Sequence, residues 1–125
     1  MLFIAIDGDD VGRRIEYLVL LNKTNALLQF SLQYQEGMTW LENILVEKLN
    51  AQIVFNGGDN LLATIPSNSN LLEEIEKIRT KFEEQTQTTL SIGIGNTPRE
   101  SYFALKLAKN SGKDRVCEYK DFSNG

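Results

Sequence analysis

The chain has 125 residues, of which 42% are hydrophobic and 24% are charged. This length and composition predict one globular domain, residues 1–125, with a single hydrophobic core. The formal net charge of −4 argues against a broad basic surface, so we expect no direct binding of nucleic acid through its phosphate backbone.

Histidine is absent from the sequence, and cysteine occurs once, as Cys117. A disulfide within the chain is therefore impossible, and histidine can act neither as a metal ligand nor as a general acid or base. Any catalysis must use carboxylates, lysines, arginines, hydroxyls or the backbone. The apolar run Leu2 to Ile6 is too short for a signal peptide or a membrane span, so we expect a cytoplasmic protein.

The first predicted element is a buried strand. It is the apolar run Leu2 to Ile6, which ends at the acidic turn Asp7-Gly8-Asp9-Asp10. The period changes at Val11, and after a break around Asn22 to Asn25 apolar residues recur at spacings of three and four. This spacing predicts a long amphipathic helix with a weak point at Gly37. Its apolar positions are Leu27, Phe30, Tyr34, Met38, Leu41 and Leu45.

Two short runs rich in apolar residues, Gln52 to Phe55 and Leu61 to Ile65, flank the sequence Asn56-Gly57-Gly58-Asp59-Asn60. This pattern predicts a β-hairpin whose glycines supply positive φ angles. Asn70 is then expected to cap a further helix. The buried stripe of that helix is predicted to be Leu71, Ile75, Ile78 and Phe82.

The C-terminal part of the chain predicts a strand, a helix and an edge strand. The first strand is Thr88 to Ile94. Thr97-Pro98-Arg99-Glu100 combines an N-cap, a proline at the first helical position and a capping-box glutamate, so a helix should begin there and end near Gly112. Arg115 to Tyr119 can form a final edge strand before a polar tail.

This order predicts an α+β fold of the ferredoxin-like type, with a βαββαβ core and an added C-terminal helix and strand. A right-handed crossover makes the first two strands parallel, so the end of the first strand and the hairpin after the second lie at one edge of the sheet. Asp7 and Asp59 are therefore expected to meet.

Two carboxylates at neighbouring strand ends suit a hard divalent cation, which prefers oxygen ligands and shares them with substrate phosphates. We predict that Asp7 and Asp59 are catalytic and that, together with the carbonyl of Gly8, they bind Mg²⁺ or Mn²⁺. Amides at the start of a helix point toward an incoming phosphate, and the hairpin glycines leave space for a substrate. The nucleotide-binding residues predicted in these two turns are Asp9, Asp10, Val11, Gly12, Gly57 and Gly58.

These features also have a purely structural interpretation. Acidic turns after strands and Gly-Gly-Asp hairpins are common surface turns. Lys109 and Lys113 are placed to interact favourably with the C-terminal end of a helix dipole. The placement of Asp7 and Asp59 at one edge of the sheet favours a functional site over two unrelated turns.

Four segments resemble, in order, the motifs of GGDEF diguanylate cyclases and of the polymerase palm in the large subunit of type III CRISPR complexes. They are Asp7 to Asp10, Asn56 to Asn60, Leu90 to Ile94 and Ala108 to Val116. The resemblance spans nearly the whole chain, and the sequence looks most like the minimal CRISPR polymerase family (mCpol), which comprises cyclic-nucleotide synthases of bacterial antiphage defence.

This resemblance implies metal ligation by Asp7, Asp59 and the Gly8 carbonyl, and contacts from Lys109 and Lys113 to a triphosphate. It implies ATP as the substrate and a cyclic di-adenylate or short cyclic oligoadenylate as the product. It also implies a homodimer, because cyclisation generally needs two nucleotides that face each other, and a membrane effector that senses the product.

The chain departs from these families at three places. Asn60 stands where they usually have an acid, so one metal ion is expected to be held more weakly. Asn56 replaces the aromatic residue usual in diguanylate cyclases. Their inhibitory Arg-x-x-Asp is absent, since Lys48 and Ala51 stand in its place. Guanine specificity and that feedback are therefore not expected here.

Two other functions fit part of the sequence. Phe3 to Val11 matches the strand and Asp-x-Asp-x-Val of a haloacid-dehalogenase-like phosphohydrolase. That fold, however, needs a parallel doubly wound sheet and a late acidic pair for Mg²⁺, and the segment directly after Asp59, Asn60 to Ala63, contains no second acid. A degenerate palm that only binds a nucleotide or a protein is the other alternative, and Asn60 motivates it. With ATP and Mn²⁺, a synthase releases pyrophosphate, a phosphatase releases only phosphate, and a binding protein releases neither.

Overall fold

Strand β1, Leu2–Gly8, lies at the centre of the sheet. The structure is a computed structural model in which residues 1–120 are described. β1 pairs antiparallel with β3, Asn60–Ile65, on one side and with β4, Leu90–Gly95, on the other. The continuous apolar sequence of β1 fits this position, because a central strand buries side chains on both faces.

Two outer strands complete the sheet. β2, Gln52–Asn56, pairs antiparallel with β3, and β5, Arg115–Glu118, pairs in parallel with β4. The strand order is β2-β3-β1-β4-β5. Since β1 and β2 are both antiparallel to β3, they are parallel to each other, as predicted. The predicted polar tail, from residue 121 onward, lies outside the described residues.

The helices connect these strands in the predicted order. α1, Val11–Leu20, and α2, Thr24–Leu49, lie between β1 and β2. α3, Leu71–Thr86, lies between β3 and β4, and α4, Pro98–Asn110, lies between β4 and β5. The order confirms the α+β class and the ferredoxin-like βαββαβ core with an added helix and strand.

The two faces of the sheet have different partners. Ile4 and Ile6 belong to the main hydrophobic core, which they share with buried residues of α2 and α3. Side chains alternate along a strand, so Ala5 and Asp7 lie on the opposite face. Helix α4 packs against β4 and β1 on that face. The alternation therefore puts Asp7 on the face that carries α4.

The predicted weak point at Gly37 is wrong, because α2 is helical through this residue. Gly37 is buried, and a Cβ atom there would overlap Cγ2 of Thr86 in α3. The glycine therefore allows α2 and α3 to approach each other closely without interrupting the helix.

The predicted helix caps have different outcomes. At α4 the prediction is confirmed, since Thr97 Oγ1 accepts a hydrogen bond from the Glu100 amide at 3.1 Å. At α3 the predicted side-chain cap is wrong: Asn70 occupies the N-cap position, but its side chain makes no capping hydrogen bond. Its amide instead donates to Asn68 Oδ1 at 2.8 Å, so the preceding loop holds this end.

Gly93 in β4 sets the distance between α4 and the sheet. A Cβ atom at this position would overlap the backbone nitrogen of Leu105 and the carbonyl oxygen of Ser101. Gly93→Ala should therefore lower the free energy of unfolding by about 1 to 3 kcal/mol, because backbone cannot move aside as a flexible side chain can. Urea denaturation measures this change. Gly12→Ala is the matched control, since open space surrounds Gly12 in α1 and alanine favours a helix. Equal stability of Gly93→Ala and the wild type would contradict the close packing.

Candidate active site

The end of β1 and the β2–β3 hairpin meet at one edge of the sheet. Asp7 lies opposite Asn60 in the strand register, and the Gly8 amide donates to the carbonyl of Asp59 at 3.0 Å. Burial raises the pKa of the Asp7 carboxyl, and the neighbouring charges of Asp59 and Asp9 raise it further, against the opposing effect of Lys109. The strand register and the Gly8–Asp59 hydrogen bond thus hold the turns that contain Asp7 and Asp59 side by side.

Lys109 of α4 places its ammonium among the predicted metal ligands. Its Nζ lies 3.0 Å from the carbonyl oxygen of Gly8, 3.2 Å from Asp7 Oδ2 and 2.8 Å from Asp9 Oδ1. Only 19% of the Lys109 side chain is exposed. Oxygens of Asp7 and Gly8 therefore converge on a single cationic group.

This donor set fits a hard divalent ion. Mg²⁺ prefers carboxylate and carbonyl oxygens, and it usually keeps waters or substrate phosphates as its remaining ligands. Among residues 1–120, no three Asp, Glu, His or Cys side chains are grouped so that they could hold a metal. The groups predicted to hold such an ion are the carboxylates of Asp7 and Asp59 and the carbonyl of Gly8, and this metal site stays a prediction.

Asp9 is buried and accepts hydrogen bonds from several donors. Thr89 Oγ1 and Ser91 Oγ each donate at 2.7 Å, and the amide of Asp114 donates at 3.0 Å. Burial alone would raise the pKa of this carboxyl, but these donors and Lys109 together lower it. The Asp9 carboxylate thus contacts protein donors on several sides and joins β1, β4 and the loop after α4. Its predicted nucleotide-binding role stays a prediction.

The loop after α4 lies against the start of α1. Lys113 pairs with the carboxylate of Asp10, which lowers the pKa of Asp10. Asp10 has a left-handed backbone conformation, with φ of 58°, and helix α1 begins at the next residue, the buried Val11. Arg79 of α3 donates to the carbonyl of Asp114 at 3.0 Å and holds the loop from its other side. Lys113 and the first turn of α1 are therefore neighbours at the site.

The side chain of Asn56 supports the hairpin. Asn56 Oδ1 accepts from the Gly58 amide at 3.0 Å, and Asn56 Nδ2 donates to Glu42 at 2.7 Å. Gly58 has a φ of +93°, which favours glycine. A Cβ atom at Gly57 would overlap Asn60 Oδ1. The turn therefore needs glycine at Gly58, whereas the predicted positive φ angle at Gly57 is wrong. The contact of both glycines with a nucleotide stays a prediction.

Tyr34 of α2 forms a hydrogen bond to the β2–β3 hairpin. Its hydroxyl donates to the carbonyl of Asp59 at 3.2 Å, the same oxygen that accepts from Gly8. Burial raises the Tyr34 pKa well above its usual range, so the hydroxyl stays a donor. The three- and four-residue spacing of apolar positions in α2 indicated that Tyr34 faces the core. It gave no sign of the hydrogen bond from Tyr34 to the carbonyl of Asp59.

Tyr34→Phe should remove the hydrogen bond that helps to position Asp59, without unfolding the protein. Loss of one hydrogen bond should lower the free energy of unfolding by about 0.5 to 1.5 kcal/mol. If Asp59 binds a metal ion, the metal concentration needed for half-maximal binding should also rise a few-fold. Urea denaturation and metal titration measure the two effects. Tyr17→Phe, which removes a hydroxyl from a side chain that is 58% exposed, is the control. Identical titrations for Tyr34→Phe and the wild type would show that Tyr34 does not position Asp59.

Two clefts adjoin this site on different sides. One, of about 430 Å³, includes Asp10, Arg13 and Arg14 in its lining. The other, of about 400 Å³, includes Asp7 and Lys109. A larger cleft of about 840 Å³ between α2 and α3 contains none of the predicted site residues, so its size does not make it the catalytic centre.

The sequence matches the minimal CRISPR polymerase domain, mCpol, over residues 3–119. The chain belongs to the mCpol family. Membership supports a polymerase-type or cyclase-type reaction on nucleotides. A comparison with curated protein sequences found no match. No helix within residues 1–120 combines the length and the apolar character needed to cross a membrane.

Similar solved structures are GGDEF domains. The GGDEF domain of DgcB from Caulobacter crescentus, in complex with c-di-GMP, has a TM-score of 0.67 and 14% identity, over 94% of this chain and 76% of that one. A microbial GGDEF domain that interacts with bis-(3,5)-cyclic di-GMP has a TM-score of 0.62 and 18% identity, over 94% and 75%. The GGDEF domain of PA1120 (YfiN or TpbB) from Pseudomonas aeruginosa has a TM-score of 0.57 and 13% identity, over 95% and 81%. At these identities the likeness concerns the fold alone, and it shows that this chain has the palm-like fold of GGDEF domains.

The phosphohydrolase alternative is excluded by the fold. That enzyme needs a parallel, doubly wound sheet, whereas β1 of this chain is antiparallel to both of its neighbours. The degenerate, nucleotide-binding palm has the same fold as an active one, so strand topology does not separate those two.

Proposed function

We propose that this mCpol protein is a metal-dependent nucleotidyltransferase that converts ATP into a cyclic di-adenylate or short cyclic oligoadenylate, with release of pyrophosphate, as a signal in antiphage defence. The observation that carries the proposal is the convergence of Asp7 and the Gly8 carbonyl on one cationic group, next to Asp59, in a chain of this family. A site for nucleotide transfer needs such a set of oxygen ligands at an open strand end.

One group of residues in the site would hold the metal ions. Asp7, Asp59 and the Gly8 carbonyl would hold Mg²⁺ or Mn²⁺. When bound, such ions lower the pKa of the attacking hydroxyl and neutralise the charge that develops on the leaving pyrophosphate. The ribose hydroxyl oxygen of one nucleotide forms a bond to the α-phosphorus of another, the bond from that phosphorus to the bridging oxygen breaks, and the hydroxyl proton passes to solvent.

The remaining predicted residues would bind the triphosphate. Lys113 lies beside the first turn of α1, where backbone amides favour an anion. In this arrangement phosphate oxygens compete with Asp10 for the Lys113 ammonium and with Asp9 for the Lys109 ammonium. The two lysines then orient the phosphates and offset their charge.

The proposed product and partners are inferred from the family and from what similar proteins bind. Two of the similar GGDEF domains bind or interact with c-di-GMP, a cyclic dinucleotide, and we infer that this chain makes a product of the same chemical class with adenine as its base. Ring closure requires two nucleotides that face each other, so we propose a homodimer. We further propose a cytoplasmic enzyme, a membrane effector that senses the product, and no direct contact with nucleic acid.

The test is turnover of each of the four ribonucleoside triphosphates with Mg²⁺ or Mn²⁺, followed by mass spectrometry of the products and a pyrophosphate assay. We expect ATP to give pyrophosphate and a cyclic adenylate. Asp59→Asn is the inactive control for contaminating activities. Release of phosphate without pyrophosphate, or no release from any nucleotide with either metal, would contradict the proposal. The second outcome would favour the degenerate palm.

Asn60→Asp tests how the site holds its metal. Asn60 lies opposite Asp7 in the register, so an aspartate there adds negative charge beside Asp7 and Asp59. We expect the half-saturating concentration of Mg²⁺ for pyrophosphate release to fall several-fold, because opposite charges attract strongly where water is partly excluded. The identity of the product should not change. Asn68→Asp, which adds the same charge before α3 and retains its acceptor oxygen, is the control. Superimposable Mg²⁺ titrations for Asn60→Asp and the wild type would place Asn60 outside the metal shell.

A further inference from the structure

The loop between α4 and β5 has three consecutive residues with positive φ angles. They are Gly112, Lys113 and Asp114, with φ of +123°, +63° and +51°. Only glycine adopts this left-handed region freely, and a lysine there is uncommon. The backbone conformation of Lys113 and Asp114 therefore depends on contacts with the surrounding structure. Since Lys113 is proposed to bind the triphosphate, the same contacts determine where its ammonium lies.

Two neighbouring peptide units of this loop are held by hydrogen bonds from different elements. The amide of Asp114 donates to Asp9 Oδ2 at 3.0 Å, and Arg115 Nε donates to the carbonyl of Lys113 at 2.9 Å. That amide and that carbonyl belong to one peptide unit. The carbonyl of the next unit, on Asp114, accepts from Arg79 Nη1 at 3.0 Å. Arg79 of α3 therefore fixes the loop on the side away from Asp9.

The Arg79 side chain is itself held in place by two carboxylates. Its Nη1 forms an ion pair with Asp114, and its Nη2 pairs with Glu76 Oε2 at 2.6 Å. Only 17% of the side chain is exposed, and the buried Nε has no hydrogen-bond partner among residues 1–120. A guanidinium presents its donors in a rigid, planar fork, so it can bind two acceptors in fixed directions, whereas an ammonium on a flexible stem cannot. The two carboxylates therefore set the position of the Arg79 guanidinium.

We propose that Arg79 is a positioning residue for the contact between Lys113 and the substrate phosphates, and that it acts through Asp114. The nature of the ligand rests on the proposed function, and the role of Arg79 rests on the contacts of the loop. Lys113 Nζ pairs with Asp10 beside the first turn of α1, and 37% of the Lys113 side chain is exposed. A phosphate can therefore reach the ammonium at the place where the loop holds it.

A direct electrostatic effect of the Arg79 charge is the competing explanation. Both explanations predict that loss of Arg79 weakens the binding of an anion. They differ for Asp114→Ala, which removes a negative charge and the side-chain partner of Arg79. Electrostatics alone predicts tighter binding of an anion to this variant. A positioning role predicts weaker binding, because the loop loses a contact and alanine is strained at a φ of +51°.

The experiment measures the Kd of the full chain for inorganic tripolyphosphate with Mg²⁺ by isothermal titration calorimetry. Lys113→Ala should raise the Kd roughly tenfold or more, the effect of losing a charge-assisted contact. Arg79→Met and Asp114→Ala should each raise it several-fold. Arg99→Met, which removes a positive charge from the exposed start of α4, is the control and should change the Kd much less. Thermal unfolding shows whether each variant is folded at the temperature of the titration.

Arg79→Lys provides a variant that keeps the positive charge within α3. It should still raise the Kd, because lysine lacks the fork that binds Asp114 and Glu76 together. This variant decides the question if Arg79→Met does not fold. A wild-type Kd for the Arg79 variants, tighter binding by Asp114→Ala, or an equal rise in the Kd of Arg99→Met would overturn the proposal.

The double variant Arg79→Met/Lys113→Ala separates positioning from general support of the fold. If Arg79 acts through Lys113, its loss has no further effect once the ammonium is gone. The double variant should then bind tripolyphosphate as weakly as Lys113→Ala alone. A general structural role would instead raise the Kd of Lys113→Ala by the same factor as Arg79→Met raises that of the wild type. That additive result would contradict the positioning role.

These outcomes are distinguishable from failure of the proposed function. If the wild type releases no pyrophosphate from any nucleotide, but Arg79→Met and Lys113→Ala weaken tripolyphosphate binding without additivity, the positioning role stands and the synthase proposal fails. If the wild type makes a cyclic product, but the Arg79 variants keep the wild-type Kd, the synthase proposal stands and the positioning role fails. A wild type that does not bind tripolyphosphate would overturn the positioning role, whatever its turnover.

Discussion

Asp7→Asn and Asp59→Asn should each lower the rate of pyrophosphate release about a thousandfold or more. Each substitution removes a carboxylate from the predicted metal site, and metal ions contribute several kcal/mol to stabilisation of the transition state. Both residues lie at strand ends, where Asp7 pairs with Asn60 through the backbone and Asp59 follows Gly58 in the turn. Neither substitution alters that backbone pairing, so the fold should be retained.

The stability of Asp7→Asn separates loss of function from loss of structure. The Asp7 pKa is raised in the folded protein by burial and by Asp59. The folded state therefore holds this proton more tightly than the unfolded chain. The contribution of protonated Asp7 to stability is fully present below the pKa that Asp7 has in the unfolded chain. It is lost as pH rises through the pKa that Asp7 has in the folded protein. At neutral pH the ionised carboxylate thus costs stability, and Asp7→Asn should unfold at the same or a higher temperature than the wild type.

Turnover and thermal unfolding of the same preparations measure both effects. Glu47→Gln, which changes an exposed carboxylate of α2, should leave turnover unchanged. Wild-type turnover in either Asp7→Asn or Asp59→Asn would remove that residue from the metal site. A markedly lower unfolding temperature for Asp7→Asn would instead indicate that its ion pair with Lys109 outweighs the cost of burying the charge.

Much of the fold was predictable because local patterns and tertiary packing agree. The apolar run of β1 and the three- and four-residue spacing in α2 each identify an element that the core then buries. The hairpin glycines and the Thr97 cap mark where elements begin and end. Once the strands are in order, topology alone brings the Asp7 and Asp59 turns to one edge of the sheet.

The contacts inside the site were not predictable in the same way. The partners of Asp9, including Thr89 and Ser91, come from segments 80 or more residues away. The position of Lys109 between Asp7 and Gly8 likewise depends on how closely α4 approaches the sheet. Sequence spacing describes neighbours on one element, whereas these contacts depend on the distance between elements. Gly93 sets that distance, but its place in a predicted strand and in the motif segment Leu90 to Ile94 gave no sign of this packing role.

Asp9→Ala should be the most destabilising substitution in the site. Its carboxylate accepts hydrogen bonds from Thr89, Ser91, Lys109 and the Asp114 amide, and its side chain is only 2% exposed. Alanine would leave the donors without their acceptor and the mostly buried Lys109 without one of its ion-pair partners. We expect the free energy of unfolding to fall by about 3 to 5 kcal/mol, the usual cost of breaking a buried pair from one side.

The pH dependence of this loss provides its sharpest test. The pKa of Asp9 is lowered in the folded protein, so its contribution to stability is present above the unfolded pKa and is lost as pH falls through the folded pKa. The difference in unfolding free energy between the wild type and Asp9→Ala, measured by urea denaturation, should therefore shrink between neutral pH and acid conditions. Asp10→Asn, which breaks the more exposed pair with Lys113, should cost only about 0 to 1 kcal/mol at neutral pH. The difference in unfolding free energy between the wild type and Asp9→Ala could instead stay constant down to strongly acid pH. That result would show that the lost stability comes from packing and not from the ionised carboxylate.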